Sequence, residues 1–527
     1  MATSGSGIFG RAKNAANTYR VATEKENTAI GSHEETMDMT ELEATEKFNS
    51  EQNVNAPNLK QGMTPVKFVT DGNNTNKFKT VETSEDDSEW YNYNEKKWAN
   101  ARTEDGSLWV WIPRYAYRIN KPNTSDTEQK GTTDIVFLAG TTDSYVNENG
   151  KICSDTKRCR SKDDTIDTTT GWTVHPAFTN ESSNNIEFRN GGWDSEITGI
   201  WVAKFEAAYA MKADTSKVKA NVSEEKFNIS SGTYYSQNEV WAPNSLYKKT
   251  HEGATGDGYM PARNCVDKEY GSNKTSIKYP TFQGSSYSMN YINTNDAYAL
   301  GRKIASEGNI YGLGSDTDSH LMKNSEWGAV AYLSKSKYGL YSTDIAANSK
   351  NFVDDDNNVY AGTGYNSNRN EWNDTNIDEG KSSSTTGNVY GIYDMSGGET
   401  ERTAGYIYNG SESLDDYGKT LIEAKGKSTK YATAYGFKEN ADSSYDDNSR
   451  SNYSNNAKIY GDAIYETSSD GTGKNSWYND TSDYIVGDYP FSHRGGLWWH
   501  NKAAGLFHYG RNNGDSVYST GMRVTLI

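Results

Sequence analysis

The sequence predicts an α+β protein with few helices, short twisted sheets and long loops. Aromatic and β-branched residues dominate the segments LWVWI at 108–112 and YAYRI at 115–119, and such runs are typical of strands. Two later stretches carry apolar residues at helical spacing instead. Elsewhere the 527-residue chain is rich in Asn, Ser, Thr and Asp and has 48 Gly against 9 Pro, which favours turns and loops between short elements.

The composition permits a folded core despite its polarity. Hydrophobic residues make up 34% of the chain and the mean hydropathy is -0.91, values that would suit a disordered protein. However, the chain also contains 13 Trp, 38 Tyr and 14 Phe, which supply a large apolar area. The length predicts about two to four domains. We therefore expect globular domains with a polar surface.

Charge and cysteine content limit the partners and the compartment. The formal charge of -17 and the pI near 5.0 argue against a nucleic-acid partner, because phosphate binding requires clustered Lys and Arg. Cys153 and Cys159 either close a small disulfide loop or remain free thiols, and Cys265 would be left unpaired. Neither a Cys-x-x-Cys motif nor a Cys/His zinc pattern is present.

Residues 1–48 are predicted to form a helical stem, since apolar residues recur at helical spacing from Ile8 to Ala22. The segment GIFGRAKNAANTYRVATEKE resembles the part that follows the hydrophobic amino-terminal helix of pilin-like surface proteins of Gram-positive bacteria. Because only MATSGS precedes it here, we expect membrane or pilus attachment through a missing helix. The alternative is an amino-terminal helix that packs on its own domain.

Residues 49–104 are polar and are predicted to form a linker, with one strand at 66–69. The body, residues 105–527, begins with the aromatic strands and continues with strands at 134–138 and 199–205.

Two helices are predicted within the body. The first is capped by Thr294 or Asn295, and the second is capped by Asn324 or Ser325 and places Trp327 in the core. No internal repeat with a fixed period is visible, which argues against propellers and solenoids.

Four segments then occur in a recognisable order. They are GIWVAKFEAAY at 199–209, HLMKNSEWGAVAYLSKSKYG at 320–339, GNVYGIYDMSGGETE at 387–401, and RGG, GLF and GMRV within 493–527. Together they resemble the formylglycine-generating-enzyme or sulfatase-modifying-factor family. The resemblance covers 105–527 and implies a C-type-lectin-like domain with large loop insertions.

The chain departs from that family in three places. Its closing Gly-Phe-Arg reads Gly521-Met522-Arg523, a mild change because Met can fill the same buried space. The family's Asn-Val-x-Glu-Trp continuation is replaced by Ser396-Gly-Gly-Glu-Thr-Glu401, which puts a family-like metal or structural site in doubt. The oxidase members depend on a cysteine pair in the carboxyl-terminal part of the domain, whereas no cysteine follows Cys265 here. The resemblance therefore implies the fold without the enzymatic activity.

The carboxyl-terminal segment 493–527 also resembles the variable proteins of diversity-generating retroelements. These proteins use the same lectin-like fold and diversify a carboxyl-terminal segment held between fixed framework residues. Residues 498–519 combine aromatic anchors with hydrogen-bonding groups, the mixture typical of recognition surfaces. The predicted ligand-binding residues are Trp498, Trp499, His500, Asn501, His508, Tyr509, Arg511, Asn512, Asn513, Asp515, Ser516 and Tyr518. Within the segment, we expect Leu506, Phe507, Val517, Met522 and Val524 to face the core.

Motifs for other chemistry are incomplete. The seven histidines are not accompanied by a Gly-x-Ser-x-Gly elbow or a Cys/His signature, which disfavours a hydrolase. His493, His500 and His508 could bind a metal, although contact or framework roles are favoured. The run 354–358 begins like an EF-hand loop, but Val359 stands at the required glycine and Tyr365 at the bidentate glutamate. We predict no catalytic residues, no metal ligands and no cofactor.

The function favoured by the sequence is display of a ligand-binding surface without catalysis. The partner would be an unknown protein or glycan on a cell surface, and the protein would lie outside the cell or on a bacterial surface, with a phage tail as the alternative location. Two other functions remain open. One is an oxidoreductase or metal enzyme of the sulfatase-modifying-factor family, and the other is a structural pilin or phage tail subunit.

Overall fold

The computed structural model confirms the α+β class. It describes residues 54–71, 74–121, 130–147, 149–158, 169–180, 192–212, 280–284, 286–289, 292–309, 311–348, 361–362, 380–422, 426–468, 476–500, 503–515, 517 and 519–527. In this part of the chain four α-helices accompany nineteen mostly antiparallel strands. The predicted stem 1–48 and the EF-hand-like run 354–358 lie outside the described residues.

The elements follow one another in chain order. The strands are β1 (Thr64–Asp71), β2 (Asn74–Glu82), β3 (Asn100–Arg102), β4 (Leu108–Pro113), β5 (Tyr115–Asn120), β6 (Thr132–Phe137), β7 (Tyr145–Val146), β8 (Ile152–Cys153), β9 (Thr173–Val174), β10 (Gly199–Ala203), β11 (Ala208–Lys212), β12 (Ser286–Ser288), β13 (Ser319–Leu321), β14 (Thr400–Tyr408), β15 (Thr433–Gly436), β16 (Phe491–Gly495), β17 (Gly505–Asn512), β18 (Thr520–Met522) and β19 (Val524–Leu526). The α-helices are α1 (Thr294–Lys303), α2 (Asn324–Ser334), α3 (Glu412–Tyr417) and α4 (Tyr445–Asn455), and short 3-10 helices lie at Tyr93–Glu95, Pro176–Phe178, Gly380–Ser383 and Trp477–Asn479.

A seven-stranded antiparallel sheet forms the centre of the body, with the order β13-β19-β10-β4-β3-β1-β2. All six residues of β4 are buried, which explains its nearly unbroken apolar sequence. In the register of β4 and β10, Trp111 lies opposite Trp201, and their ring centroids are 5.3 Å apart. The last strand of the chain, β19, pairs with both β10 and β13.

The predicted linker 49–104 contributes instead to this sheet. β1 pairs with β2 and β3, and β3 pairs with β4. Trp90 and Trp98 lie in the same stretch and are buried at 1% and 0% exposure. The prediction of a linker is therefore wrong for residues 54–104. The stretch is polar on average, yet it contains the β1–β2 hairpin at the edge of the sheet and two core tryptophans.

The two predicted helices are present, and their caps differ slightly from the prediction. Asn293, one residue before the predicted cap, accepts a hydrogen bond from the Asp296 N–H at 2.7 Å and begins α1. α2 begins after Lys323, whose N–H donates to Glu326 at 2.8 Å. All eleven residues of α2 are buried, so this helix packs on every side rather than along one face.

A second sheet contains the strands of the carboxyl-terminal segment that precede β19. Its strands run in the order β15-β14-β16-β17, and β18 pairs with β14. β14 is parallel to β15 and β18 and antiparallel to β16, and β16 forms an antiparallel pair with β17. This sheet therefore places the segment predicted to bind ligand on an ordered support.

Aromatic side chains supply much of the core, as the composition predicts. Among the described residues, seven tryptophans are nearly inaccessible to solvent: Trp90, Trp98, Trp109, Trp111, Trp201, Trp327 and Trp477. Several donate indole N–H hydrogen bonds to backbone oxygens, such as Trp98 to Tyr338 at 2.9 Å and Trp327 to Leu506 at 2.7 Å. These two indoles therefore bury a large area without leaving the polar group unsatisfied, whereas the buried indole nitrogen of Trp111 has no hydrogen-bond partner among the described residues.

His175 lies in the same core and gives a pH-dependent contribution to stability. Its ring is inaccessible and lies between Tyr115 and Tyr117, with centroids 5.2 and 5.3 Å away. The imidazole caps a 3-10 helix by accepting the Ala177 N–H at 3.2 Å. Burial lowers the pKa of His175 from 6.5 to about 3.

Replacing His175 by Asn is expected to cost less stability at low pH than at neutral pH. Below pH 6.5 the unfolded histidine binds a proton while the folded one stays neutral, so its stabilising contribution is present above pH 6.5 and is lost as the pH falls towards 3. The stability difference between the two proteins should shrink by about 2 kcal/mol from pH 7 to pH 5. Urea unfolding at both pH values measures it, and a pH-independent difference would contradict the assignment.

None of the helices in the described residues is long and apolar enough to cross a membrane. Cys153 is a free thiol, and the other two cysteines, Cys159 and Cys265, lie outside the described residues.

Candidate functional site

The strands β16 and β17 form the support of the predicted binding segment. At the end of β16, Gly495 and Gly496 adopt φ values of +84° and +76° in succession, a left-handed step that directs the chain out of the sheet. A Cβ atom at Gly496 would lie 2.9 Å from the Cα of Ala504. The RGG motif therefore makes a tight turn at the base of a loop, whose described residues 497–500 we call the Trp loop.

The Trp loop exposes an aromatic pair. Trp498 and Trp499 are half-buried, and their rings pack edge to face with centroids 4.6 Å apart. The backbone under them is fixed, since the Trp498 N–H donates to Gly398 at 2.9 Å and the Leu497 N–H donates to Nδ1 of His500 at 3.2 Å. Such a rigid aromatic pair can bind a partner with little loss of side-chain entropy.

Three histidines form a stack that connects the Trp loop to the sheet. The ring of His508 lies 5.6 Å from that of His500 and 5.8 Å from that of His493. His508 is only 2% exposed, and burial, together with the neighbouring His493, lowers its pKa well below the usual value. His508 is therefore a neutral framework residue, and its prediction as a contact is wrong. His500, at the Trp-loop end of the stack, is half-buried and therefore keeps one side accessible to solvent.

Tyr509 is also interior. It is inaccessible to solvent and stacks on Tyr484, with centroids 5.3 Å apart and planes 23° apart. The Arg494 guanidinium also packs on Tyr509, at 5.5 Å from the centroid of its ring. The prediction of Tyr509 as a ligand contact is wrong because β17 is buried on both faces, so strand alternation does not expose every second residue. The predicted core positions Leu506, Phe507, Met522 and Val524 are buried, and Val517 is half-buried.

The far end of β17 carries the remaining described contact residues. Arg511, Asn512, Asn513 and Asp515 are half-buried around a turn. Part of this turn is internal structure, because the carboxamide oxygen of Asn512 accepts the Gly514 N–H at 2.6 Å and a hydrogen bond from buried Arg402 at 3.2 Å. The Asn512 carboxamide oxygen therefore stabilises the turn, and Asn512 is better described as a framework residue than as a ligand contact.

Three predicted contact residues lie outside the described residues: Asn501, Ser516 and Tyr518.

The described contact residues that are not buried thus form two groups. The first lies in the Trp loop (Trp498, Trp499 and His500), and the second lies at the far end of β17 (Arg511, Asn512, Asn513 and Asp515). In the register of the hairpin, Gly505 lies opposite Gly495 and Asn512 lies opposite Phe491. Along β16 the two ends are four residue steps apart, from Phe491 to Gly495, which is about 13 Å. A protein partner that buries about 800 Å² on each side could cover both groups, whereas one sugar ring could contact only one of them.

A tyrosine pair beside the second group was missed by sequence reasoning. Tyr445 and Tyr489 are 49% and 39% exposed, and their rings lie 5.7 Å apart. The Arg511 guanidinium lies 5.4 Å from the Tyr445 centroid and forms a 3.1 Å ion pair with Asp483. Exposed Tyr beside Arg is typical of protein-binding surfaces. The only sequence signal was a tyrosine at the start of the otherwise polar helix α4.

Buried arginines hold the framework together. Arg494 donates to the backbone oxygens of Asp462 and Leu506 at 3.0 and 3.2 Å. Arg523 forms two hydrogen bonds with the Glu401 carboxylate, at 2.8 and 2.6 Å. It also donates to the oxygens of Ala203 and Tyr393 at 2.7 and 2.8 Å. Glu401, in the segment that departs from the family pattern, is therefore used as the partner of a structural arginine.

Lys204 is a further buried charge. Its ammonium group donates to Asn100, Val389 and Gly391 at 2.9, 2.7 and 2.6 Å, and burial lowers its pKa well below the usual value. Two residues later, Glu206 accepts hydrogen bonds from Ser288 at 2.5 Å and from the Glu399 N–H at 3.0 Å. Burial, with the nearby carboxylates, raises the pKa of Glu206 well above the usual value. All three N–H donors of Lys204 are thus used, and each carboxyl oxygen of Glu206 accepts one hydrogen bond.

Within the described ranges, no group of three or more His, Cys, Asp or Glu side chains is placed to hold a metal ion. Comparison of the chain with protein-family models and with curated protein sequences gives no match.

Proposed function

We propose that this chain is a non-enzymatic ligand-binding protein of the surface-display type, with its recognition surface at the carboxyl-terminal segment. The observation that carries the proposal is the contrast within the segment 493–527. Arg494 and Arg523 are buried, as are the apolar residues Leu506, Phe507, Met522 and Val524. In contrast, Trp498 and Trp499 lie half-exposed on a loop whose backbone is hydrogen-bonded at its base. A rigid support with aromatic anchors is an arrangement suited to binding.

The contacts of Arg523 support a C-type-lectin-like body of the formylglycine-generating-enzyme type. Three of the four segments that resemble this family meet at its guanidinium: 199–209 through Ala203, 387–401 through Tyr393 and Glu401, and the GMRV motif through Arg523 itself. The fourth, 320–339, joins them through Trp327, which donates to Leu506 of the GLF motif. Residues that are far apart in sequence thus act as one framework.

Diversification of residues 498–519 by a retroelement is part of the same proposal. A framework that is fully buried tolerates changes in the exposed positions between its members, because most surface substitutions alter stability by less than about 0.5 kcal/mol. The surrounding DNA provides the test. A reverse-transcriptase gene and a near-copy of the 3' coding end are expected, and a locus without both would overturn this part.

Replacing Trp498 and Trp499 together by Ala is expected to weaken ligand binding by at least about a hundredfold, as for paired anchor residues. The melting temperature should change little, because both rings are half-exposed. Glycan and cell-surface-protein arrays, probed with the whole chain, identify the ligand and rank the variant.

Replacing Tyr408 by Ala provides a matched control, since this tyrosine is 43% exposed at the end of β14, an inner strand of the same sheet. It should bind as the unmodified protein does. Equal binding by the double tryptophan variant would place the recognition surface elsewhere. Tightly bound copper or iron in the purified protein would favour the metal-enzyme alternative instead.

The proposed location is the outside of a cell or a bacterial surface, with attachment through the amino-terminal segment. This part rests on the sequence of residues 1–48 alone.

A further inference from the structure

A cleft of about 910 Å³ opens on the body, and none of its lining residues belongs to the segment 493–527. Its floor is the β5–β6 pair, and its walls come from the β7–β8 hairpin, the turn around Lys96 and the loop that follows α2. The volume lies within the range of about 300 to 1,000 Å³ that is usual for small-molecule sites.

The acidic groups of the cleft are already engaged. Asp134 pairs with Arg118, at 2.6 and 3.1 Å, and accepts the Asn120 carboxamide at 2.9 Å. Asp155 accepts the Tyr145 hydroxyl at 2.8 Å. The Arg118 guanidinium balances the charge of Asp134, whereas the hydrogen bond from the neutral Tyr145 hydroxyl adds no positive charge at Asp155. With Lys96, Arg118 and Lys337 against Asp134 and Asp155, the lining still carries a formal net charge of +1.

Two lysines in the cleft have no acidic partner among the described residues. Lys96 is half-buried, Lys337 is exposed, and both line the cleft. The nearest aromatic contact of Lys337 is the Tyr338 ring, whose centroid lies 5.1 Å from its ammonium group. In a protein of net charge -17, two cations without acidic partners that share one cleft favour an anionic ligand.

Tyr341 adds an aromatic face to the same cleft. It is 47% exposed and adopts a φ of +57°, a left-handed conformation that bulky residues rarely adopt. The Tyr341 N–H donates to Ser334 at 3.1 Å, and its carbonyl oxygen accepts the Tyr478 hydroxyl at 3.2 Å. Strained residues held in place by neighbouring hydrogen bonds are concentrated at functional sites.

From these observations we infer that the cleft is a second binding site, and that its ligand is an acidic saccharide, a pyranose that carries a carboxylate. Tyr341 stacks on the sugar ring, Lys96 and Lys337 pair with the carboxylate, and the exposed Asn149 contacts hydroxyl groups. Arg118 takes no part, because Asp134 occupies its guanidinium. A carboxylate is favoured over a phosphate monoester because its single negative charge matches the formal net charge of +1 of the lining, whereas the phosphate carries between about 1.5 and 2 negative charges.

Titration calorimetry with digalacturonic acid and 3'-sialyllactose, and with lactose as the neutral probe, tests the inference. The whole chain should bind at least one acidic probe and bind lactose at least about tenfold more weakly. Replacing Lys337 by Gln should weaken acidic binding by about tenfold, whereas replacing Lys151, an exposed lysine outside the cleft lining, should not.

Replacing Tyr341 by Gly separates a binding role from a structural one. Glycine adopts a φ of +57° without strain, so the melting temperature should stay the same or rise while acidic-sugar binding is lost. A drop in melting temperature with binding intact would show that Tyr341 is structural and would overturn the inference. Failure of the folded protein to bind any acidic probe, or a preference for sugar phosphates over carboxylated sugars, would also overturn it.

Binding in this cleft is independent of the Trp loop. The double variant of Trp498 and Trp499 should therefore bind the acidic probe normally, and a loss of binding in that variant would assign the sugar to the carboxyl-terminal surface instead.

Discussion

Replacing Arg523 by Ala is expected to lower the free energy of unfolding by about 3 to 5 kcal/mol. Arg523 is inaccessible to solvent and forms two hydrogen bonds with Glu401, which is also buried. Its removal leaves a carboxylate in the interior with no opposite charge, and it frees two backbone oxygens, of Ala203 and Tyr393, that the guanidinium now satisfies. Urea unfolding followed by tryptophan fluorescence measures the change.

Arg450 is the matched control for this experiment. It pairs with Asp447 on the surface of α4 at 2.7 Å, with both side chains about half exposed. Its replacement by Ala should change the stability by no more than about 0.5 kcal/mol. A further variant that combines Arg523→Met with Glu401→Gln removes both charges and should recover part of the loss. Similar costs for the Arg523 and Arg450 variants would contradict the framework role.

Replacing Tyr509 by Ala is expected to cost about 3 to 5 kcal/mol, the usual cost of emptying an aromatic site in a core. The ring is inaccessible, packs against Tyr484 and lies under the Arg494 guanidinium. Tyr509→Phe keeps the ring and should cost no more than about 1.5 kcal/mol. Unfolding curves of the two variants, compared with those of Trp498→Ala, give the result.

This comparison also decides how binding data are interpreted. A Tyr509→Ala protein that no longer binds ligand would have lost its support rather than a contact. If Tyr509→Ala proved as stable as Trp498→Ala, the ring would be at the surface, and its original assignment as a contact would be restored.

The sequence predicts the elements whose type can be recognised from neighbouring residues alone. β4 and β5 are almost continuous aromatic and β-branched runs, and α2 has a capping glutamate three residues after its cap, so their types and positions are visible from local pattern. The glycines of the RGG turn are visible too, because only glycine adopts two successive left-handed conformations at little cost.

The parts that escape prediction depend on contacts between distant residues. β2 has the sequence NTNKFKTVE and becomes a strand through its pairing with β1, not through its own propensity. In β17, Phe507, His508 and Tyr509 are all buried. His493 of β16 packs on His508, and Tyr484, from the loop before β16, packs on Tyr509. Neither the hydropathy nor the alternation of β17 contains this information.

The tyrosine pair beside Arg511 illustrates the same limit. Tyr445 and Tyr489 are 44 positions apart, and only the fold brings them together at one surface. The segment 493–527 identifies one part of the candidate surface, and the other part comes from residues that carry no motif.

The position of β19 at the end of the chain makes folding depend on the reading frame of the coding sequence before it. Its three residues, Val524–Leu526, lie between β10 and β13 and follow directly after Arg523. Should residues 498–519 be rewritten from a template, an insertion or deletion that shifts the reading frame would replace both the arginine and the strand that completes the central sheet. A protein translated from such a frameshifted gene could not form the central sheet and would misfold. Only variants with in-frame changes would then be displayed as folded proteins.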